Sequence, residues 1–303
     1  MLPSFLMKTL FTGCLLLLQI QQAWSDNETP TSRADYQRII SLSPHITELL
    51  FSAGAGDKLI GRVAFSDYPP QVSDIANVGT AAALSIERII QLQPDLIIAW
   101  QSGTRPQDVE RLNQLGFHVI FSEPRKLSEI PQEIRRFGTL FNSADHAEIQ
   151  ALKLEKLIET LRQRYTSSLP VRAFYQIWND PLMTVNQQQF ISQAMQLCGA
   201  RNIFADLPLL AGEVNMESVL QRDPQIILLG GEEAMQKQWQ QEWQKWHSLT
   251  AVKNQQIYTL NADFFHRATA RLIEALPQLC ENIQQARLSL KAPEERTPGL
   301  GDQ

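Results

Sequence analysis

Cysteine is scarce in this chain: three in 303 residues, with Cys14 inside an N-terminal apolar segment. That excludes a disulfide-dense scaffold and a cysteine-rich metal module. Basic clusters are missing too. The 27 Lys and Arg face 32 Asp and Glu, for a net charge of −5, which argues against nucleic acid and anionic lipid surfaces as partners. No GxSxG elbow, P-loop, HExxH or GxGxxG occurs, so the common hydrolase, nucleotide and zinc-protease signatures are absent. The five His are dispersed, and only His45 and His266 fall where a cleft could lie. Even with Asp263 they make a poor ligand set, and no metal site is assigned.

Long apolar runs are confined to the start of the chain. Lys8 supplies a positive n-region, 10–20 is apolar apart from a few residues, and Ala23-Trp24-Ser25 offers small residues at the usual cleavage spacing. Cys14 precedes most of the apolar run, which does not suit a lipidated cysteine. Residues 1–25 are therefore read as a signal peptide cut before Asp26, and the product as a soluble, exported protein. Its remaining 26 basic and 32 acidic side chains leave it more acidic still. Cys198 and Cys280 make an even pair in an oxidising compartment, for which a disulfide within the second half is the default and two buried thiols the alternative.

Short apolar strands alternate with helices along the rest. Strands are expected over 38–42, 59–64, 95–100 and 118–122, with helices over 46–53, 86–92, 106–115 and 127–141. Ser43-Pro44 reads as an N-cap followed by proline at the first helical position. Over 145–165, Leu154, Leu157, Ile158, Leu161 and Tyr165 share one helical stripe behind a capping-box pattern, Asp145 to Glu148. Strands over 172–178, 225–229 and 256–260 and helices over 190–197, 216–221, 233–246 and 269–290 follow. This pattern predicts an α/β fold of two Rossmann-like lobes with mainly parallel sheets, joined by a single long backbone helix. The divisions are 37–142 for the N-terminal lobe, 145–166 for the linker, 171–290 for the C-terminal lobe and 291–303 for a disordered polar tail. Trp239, Trp243 and Trp246 form an i, i+4, i+7 stripe, read as a core face.

An internal repeat supports two lobes. The stretch 84–98 returns at 214–228, with Glu87 on Glu217, Gln91 on Gln221 and Pro94 on Pro224. A short helix stopped by a proline and feeding a buried strand has been used twice. In open α/β sheets the ligand sits beyond the carboxyl ends of the strands. The loops there carry Ser43-Pro44-His45, Phe65 to Pro70, Trp100 to Gly103, Trp178 to Pro181, Gly230-Gly231 and Asp263 to Arg267. Rings mixed with amides and carboxylates suit a large, flat ligand with polar edges.

The run from Ile39 to Leu49 resembles the first strand and helix of the periplasmic substrate-binding proteins of ABC importers, in the class with a single backbone helix. Ser66-Asp67-Tyr68-Pro69-Pro70, Ile86-Glu87-Arg88-Ile89, Pro94 to Trp100 and Asp263-Phe264-Phe265-His266-Arg267 are similar to the cobalamin-binding member. The resemblance implies a monomeric periplasmic receptor, not an enzyme, that hands cobalamin to a dimeric permease with its ATPase. It implies no cofactor, since cobalamin is cargo. It implies corrinoid contacts from Phe65, where a Tyr is usual, and from Trp100, Asp263, Phe264, Phe265, His266 and Arg267. Glu87 and Glu217 match acidic knobs that meet the permease, and Cys198 and Cys280 match a disulfide. Two Trp that the family can set against the corrin fall on Ala81 and Ala211, and Phe265-His266 stands for Phe-Glu. The rival readings are another bulky chelate, haem or a siderophore, and a secreted hydrolase using Asp67, Asp180 or Asp263.

Overall fold

The computed structural model describes residues 35–165 and 169–290. The expectations for the signal peptide, the end of the linker at 166 and the tail lie outside the described residues. Both lobes belong to one compact unit that begins at Tyr36.

The first sheet has five parallel strands in the spatial order Ala76–Asn77, Leu59–Arg62, Ile39–Ser41, Leu96–Trp100, Val119–Ser122. The second has four, in the order Ala200–Asn202, Val171–Gln176, Ile226–Leu229, Ile257–Thr259, again all parallel. The central strands are buried on both faces, as in Ile226–Leu229, which is why they read as unbroken apolar runs instead of alternating ones. In each sheet the strand order reverses direction at a central pair. For the first it is Ile39–Ser41 beside Leu96–Trp100, the crevice position of doubly wound sheets.

The helix Ala144–Tyr165 joins the lobes and buries Ala147, Ala151, Leu154, Ile158, Leu161 and Tyr165 along one side. Its core is shared. A single buried cluster runs from Leu49 and Phe137 through Leu154 and Ile158 to Tyr175, Leu228 and Leu276, so both lobes pack on the linker as one body. At about 1.5–3 kcal/mol per fully buried large apolar side chain, this shared burial opposes any opening of the lobes large enough to uncover the cluster. The remaining faces have cores of their own, around Ile97 in the first lobe and around Trp243 in the second.

Three local expectations change. Asp145 lies within the first turn of the linker helix and does not cap it, and Glu148 is drawn off to Arg135, which also takes Glu155. Ser43 does stand at the N-cap with Pro44 behind it, but its hydroxyl bonds His45 and not a helix amide. Trp239 and Trp243 are buried, whereas Trp246 is half-exposed because the helix Glu233–Gln244 ends before it. Cys198 and Cys280 are joined in a disulfide, both fully buried.

The repeat extends into backbone geometry. The helices Ile86–Leu92 and Met216–Arg222 each end on a left-handed residue, Gln93 at φ 46° and Asp223 at φ 40°. Arg38 donates through Nε to the Gln93 carbonyl, and Arg172 donates through Nε to that of Asp223. The same Arg carbonyls accept from the amides of Asp95 and Gln225. Each lobe thus ties its short helix to its first strand with the same clamp, satisfying carbonyls that a helix end leaves open.

Candidate functional site

A cavity of about 780 Å³ opens where the carboxyl ends of the two sheets meet. Ser43, Pro44, His45, Trp100 and Ser102 line it from the first lobe's switch point, and His266, Arg267 and Ala268 from the second lobe. Glu123, Arg125 and Lys126 add a charged edge, and Gln188, Gln189, Phe190, Gln193 and Leu210 close the wall. Ser102 donates to Glu123 at 2.5 Å, and Glu123 also pairs with Arg125 at 3.0 Å.

Trp100 holds its place by two close contacts. Gly103 passes beneath its ring so closely that a Cβ there would stand 1.9 Å from the indole, so the turn requires glycine. The His45 imidazole meets the indole edge-on at 5.4 Å and is bonded to Ser43 Oγ at 2.6 Å. Burial pushes the His45 pKa down to about 4, against the upward pull of the Glu123 charge and the Ser122 backbone. His266 is also lowered by burial, with Asp263 opposing, and its Nε2 is hydrogen-bonded to the phenol of Tyr175 at 2.9 Å. Both rings are therefore neutral at neutral pH and give the cavity dipoles without charge.

Arg267 brings positive charge from the second lobe, and it is heavily tied. It donates to Glu48 at 2.9 Å, Asp67 at 2.7 Å, Asp263 at 3.1 Å and the Phe65 carbonyl at 3.1 Å. Burial works against the ionised Asp67, but the hydrogen bond and charge of Arg267 hold its carboxyl below the usual range. Phe65 adopts φ 65°, a left-handed conformation that costs a non-glycine residue, and holds its ring 78% exposed.

The expected residues divide accordingly. Trp100, His266 and Arg267 line the cavity, while Phe65 and Asp263 are brought to it through Arg267. Phe265 is 4% exposed and belongs to the shared core, and Phe264 stacks against Arg271 at 5.1 Å. Neither ring lines the cavity, so this loop uses its aromatics for packing. Glu87 and Glu217 are exposed in the first turns of their helices, away from the cavity lining. Ala81 and Ala211 are exposed on two antiparallel ribbons, Gly79–Thr80 with Ala83–Leu84 and Ala211–Glu213 with Met183–Val185. Residues unforeseen from sequence are Glu48, Glu123, Gln193, Leu210 and Arg271. Asp67, which the sequence places in a strand-end loop and in the block Ser66 to Pro70, reaches the site through its ion pair with Arg267.

The model of a family described as periplasmic binding protein matches residues 39–264. The chain belongs to that family. This periplasmic binding protein is 37% identical over 250 residues to the vitamin B12-binding protein of Vibrio cholerae serotype O1, covering 82% of this chain and 90% of the relative. To the protein of the same name from Photorhabdus laumondii it is 37% identical over 246 residues, covering 81% and 87%. Its structure is similar to the crystal structure of the periplasmic vitamin B12 binding protein BtuF of Vibrio cholerae, with TM-score 0.76, 36% identity and coverage of 84% and 98%. A haem-binding periplasmic protein, RhuT from Roseiflexus, shares the fold at TM-score 0.70 and 22% identity, over 83% and 99% of the two chains.

Proposed function

We propose that this periplasmic binding protein captures cobalamin between its lobes and presents it to the permease of an ABC importer. The observation that carries the reading is the cavity itself: its size suits an organic ligand, it lies at the strand carboxyl ends, and it is walled by Trp100, neutral imidazoles and amides. The vitamin B12-binding relatives supply the ligand's name. Phe65, with its strained backbone and open ring, and Trp100 are read as the corrin contacts. His266, Arg267 and Asp263 are read as polar contacts to its edge. Phe264 and Phe265 support that loop from behind.

No catalytic role is assigned. Asp67 and Asp263 are both held in ion pairs by Arg267, and Glu123 in the cavity lining is paired with Arg125, so none of the three stands as a free base for hydrolysis. Glu87 and Glu217 are read as docking points for two matched permease subunits. They are exposed, equivalently placed, and each stands on a helix clamped to its lobe by an Arg.

The absorption spectrum of protein isolated from the periplasm tests the ligand class. Corrinoid bands, or their appearance on adding cyanocobalamin with no displacement by haemin, are the expected result. A bound haem that cyanocobalamin does not displace would overturn the assignment. Ala81→Trp and Ala211→Trp are expected to tighten cyanocobalamin binding by about 0.5–1.5 kcal/mol each if the new ring meets the corrin. Calorimetry showing no gain from either would remove the two ribbons from the site.

A further inference from the structure

Glu48 lies on the helix Pro44–Ser52 of the first lobe and is 3% exposed, yet both of its partners belong to the second lobe. Its carboxylate accepts from Arg267 Nη1 at 2.9 Å, and from Arg271 through Nε at 2.9 Å and through Nη2. The second pair is a two-bond fork. Arg271 also stacks on Tyr68 of the first lobe at 4.1 Å, and Arg267 reaches Asp67 and the Phe65 carbonyl. One buried acid and two arginines therefore bind the lobes beside the cavity. A second cross-lobe contact comes from Gln193 in the cavity wall, which donates to the Arg125 carbonyl and accepts from the Leu127 amide.

Buried ion pairs contribute little net stability relative to apolar residues of the same volume, because both partners must leave water. Their distinctive contribution is geometry, since a guanidinium fork fixes distance and angle where apolar packing allows sliding. We propose that Glu48 is a positioning residue. It sets the angle between the lobes and presents Arg267 to the cavity before any ligand arrives. The ligand half of this inference rests on the cobalamin reading, whereas the lobe-angle half does not.

The test uses the full-length exported protein with nitroxides on Asn113→Cys and Lys237→Cys, exposed positions on opposite lobes, and pulsed dipolar spectroscopy without and with cyanocobalamin. The parent is expected to give one narrow distance that cyanocobalamin leaves unchanged. Glu48→Gln should broaden that distance in the free protein, recover it at saturating cyanocobalamin, and bind at least about tenfold more weakly, the loss of a charged hydrogen bond. Glu48→Asp should restore most of both. An unbroadened distance in a folded Glu48→Gln protein would overturn the lobe-angle role, even if affinity fell. Should that variant not fold, Arg271→Gln removes the fork and leaves Arg267 its ties to Asp67, and an unbroadened distance there would overturn the role equally. A parent protein that fails to bind cyanocobalamin would remove the cobalamin reading while the distances still decide the lobe angle.

Discussion

His45 is neutral in the folded protein because burial removes the water that would solvate its charge. In the unfolded chain it titrates at 6.5, and in the fold at about 4. Between those values the unfolded chain holds the extra proton, so stability is full above pH 6.5 and is lost as pH falls toward 4. The loss is about 3 kcal/mol at 1.36 kcal/mol per unit. Lowering of His266 by burial adds in the same direction. Melting curves from pH 7 to 4 should therefore fall less steeply for His45→Asn than for the parent; equal slopes would remove His45 as the source. Single residues were the least legible scale in the sequence. Glu48 and Arg271 are 223 positions apart, and an acid inside an apolar helix gives no sign of what it faces. The resemblance of the loop Asp263 to Arg267 implies a ligand contact from Phe265, but its ring is buried in the shared core.

Elements with clear punctuation were read well. The helices Ile86–Leu92 and Phe190–Leu197 start and stop where the apolar pattern and its flanking polar residues say they should. The ribbons carrying Ala81 and Ala211 were not foreseen, because strands of two or three residues are too short for any periodicity to appear. The capping box at Asp145 failed for a different reason: Arg135 offers Glu148 a charged partner, which outbids a backbone amide. The disulfide ties the end of the helix Phe190–Leu197 to the middle of the helix Ala270–Ser289 across 82 residues. Loop-closure entropy for that length gives about 4–5 kcal/mol. Reduction is expected to lower the melting temperature by about 10 °C for a chain of this size. Thiol labelling of unfolded, unreduced protein should find neither Cys198 nor Cys280, and full labelling of both would contradict the bridge.

At the scale of the molecule, the duplication was the most readable feature, since it is written as sequence at a fixed offset. The clamps from Arg38 and Arg172 were hidden, because they lie outside the repeated stretch. A receptor with two equivalent acidic helices suits a two-subunit partner, and carboxylates suit arginine on that partner. Glu87→Lys combined with Glu217→Lys should keep the fold and the cobalamin affinity while abolishing uptake in cells that depend on this receptor. Normal uptake with the double variant would end the docking proposal. Were the two acids only balancing their helix dipoles, the double variant would lose stability, about 0.3–1 kcal/mol per site, and transport normally.

The most direct measurement is a calorimetric titration of the purified protein with cyanocobalamin, followed in parallel by tryptophan fluorescence. Trp100 in the cavity wall and Trp178, 46% exposed at a strand-end loop, are the reporters. One cobalamin per chain, with heat and quenching that saturate together, is the expected result. No heat and no quenching at micromolar concentrations would contradict a cobalamin receptor.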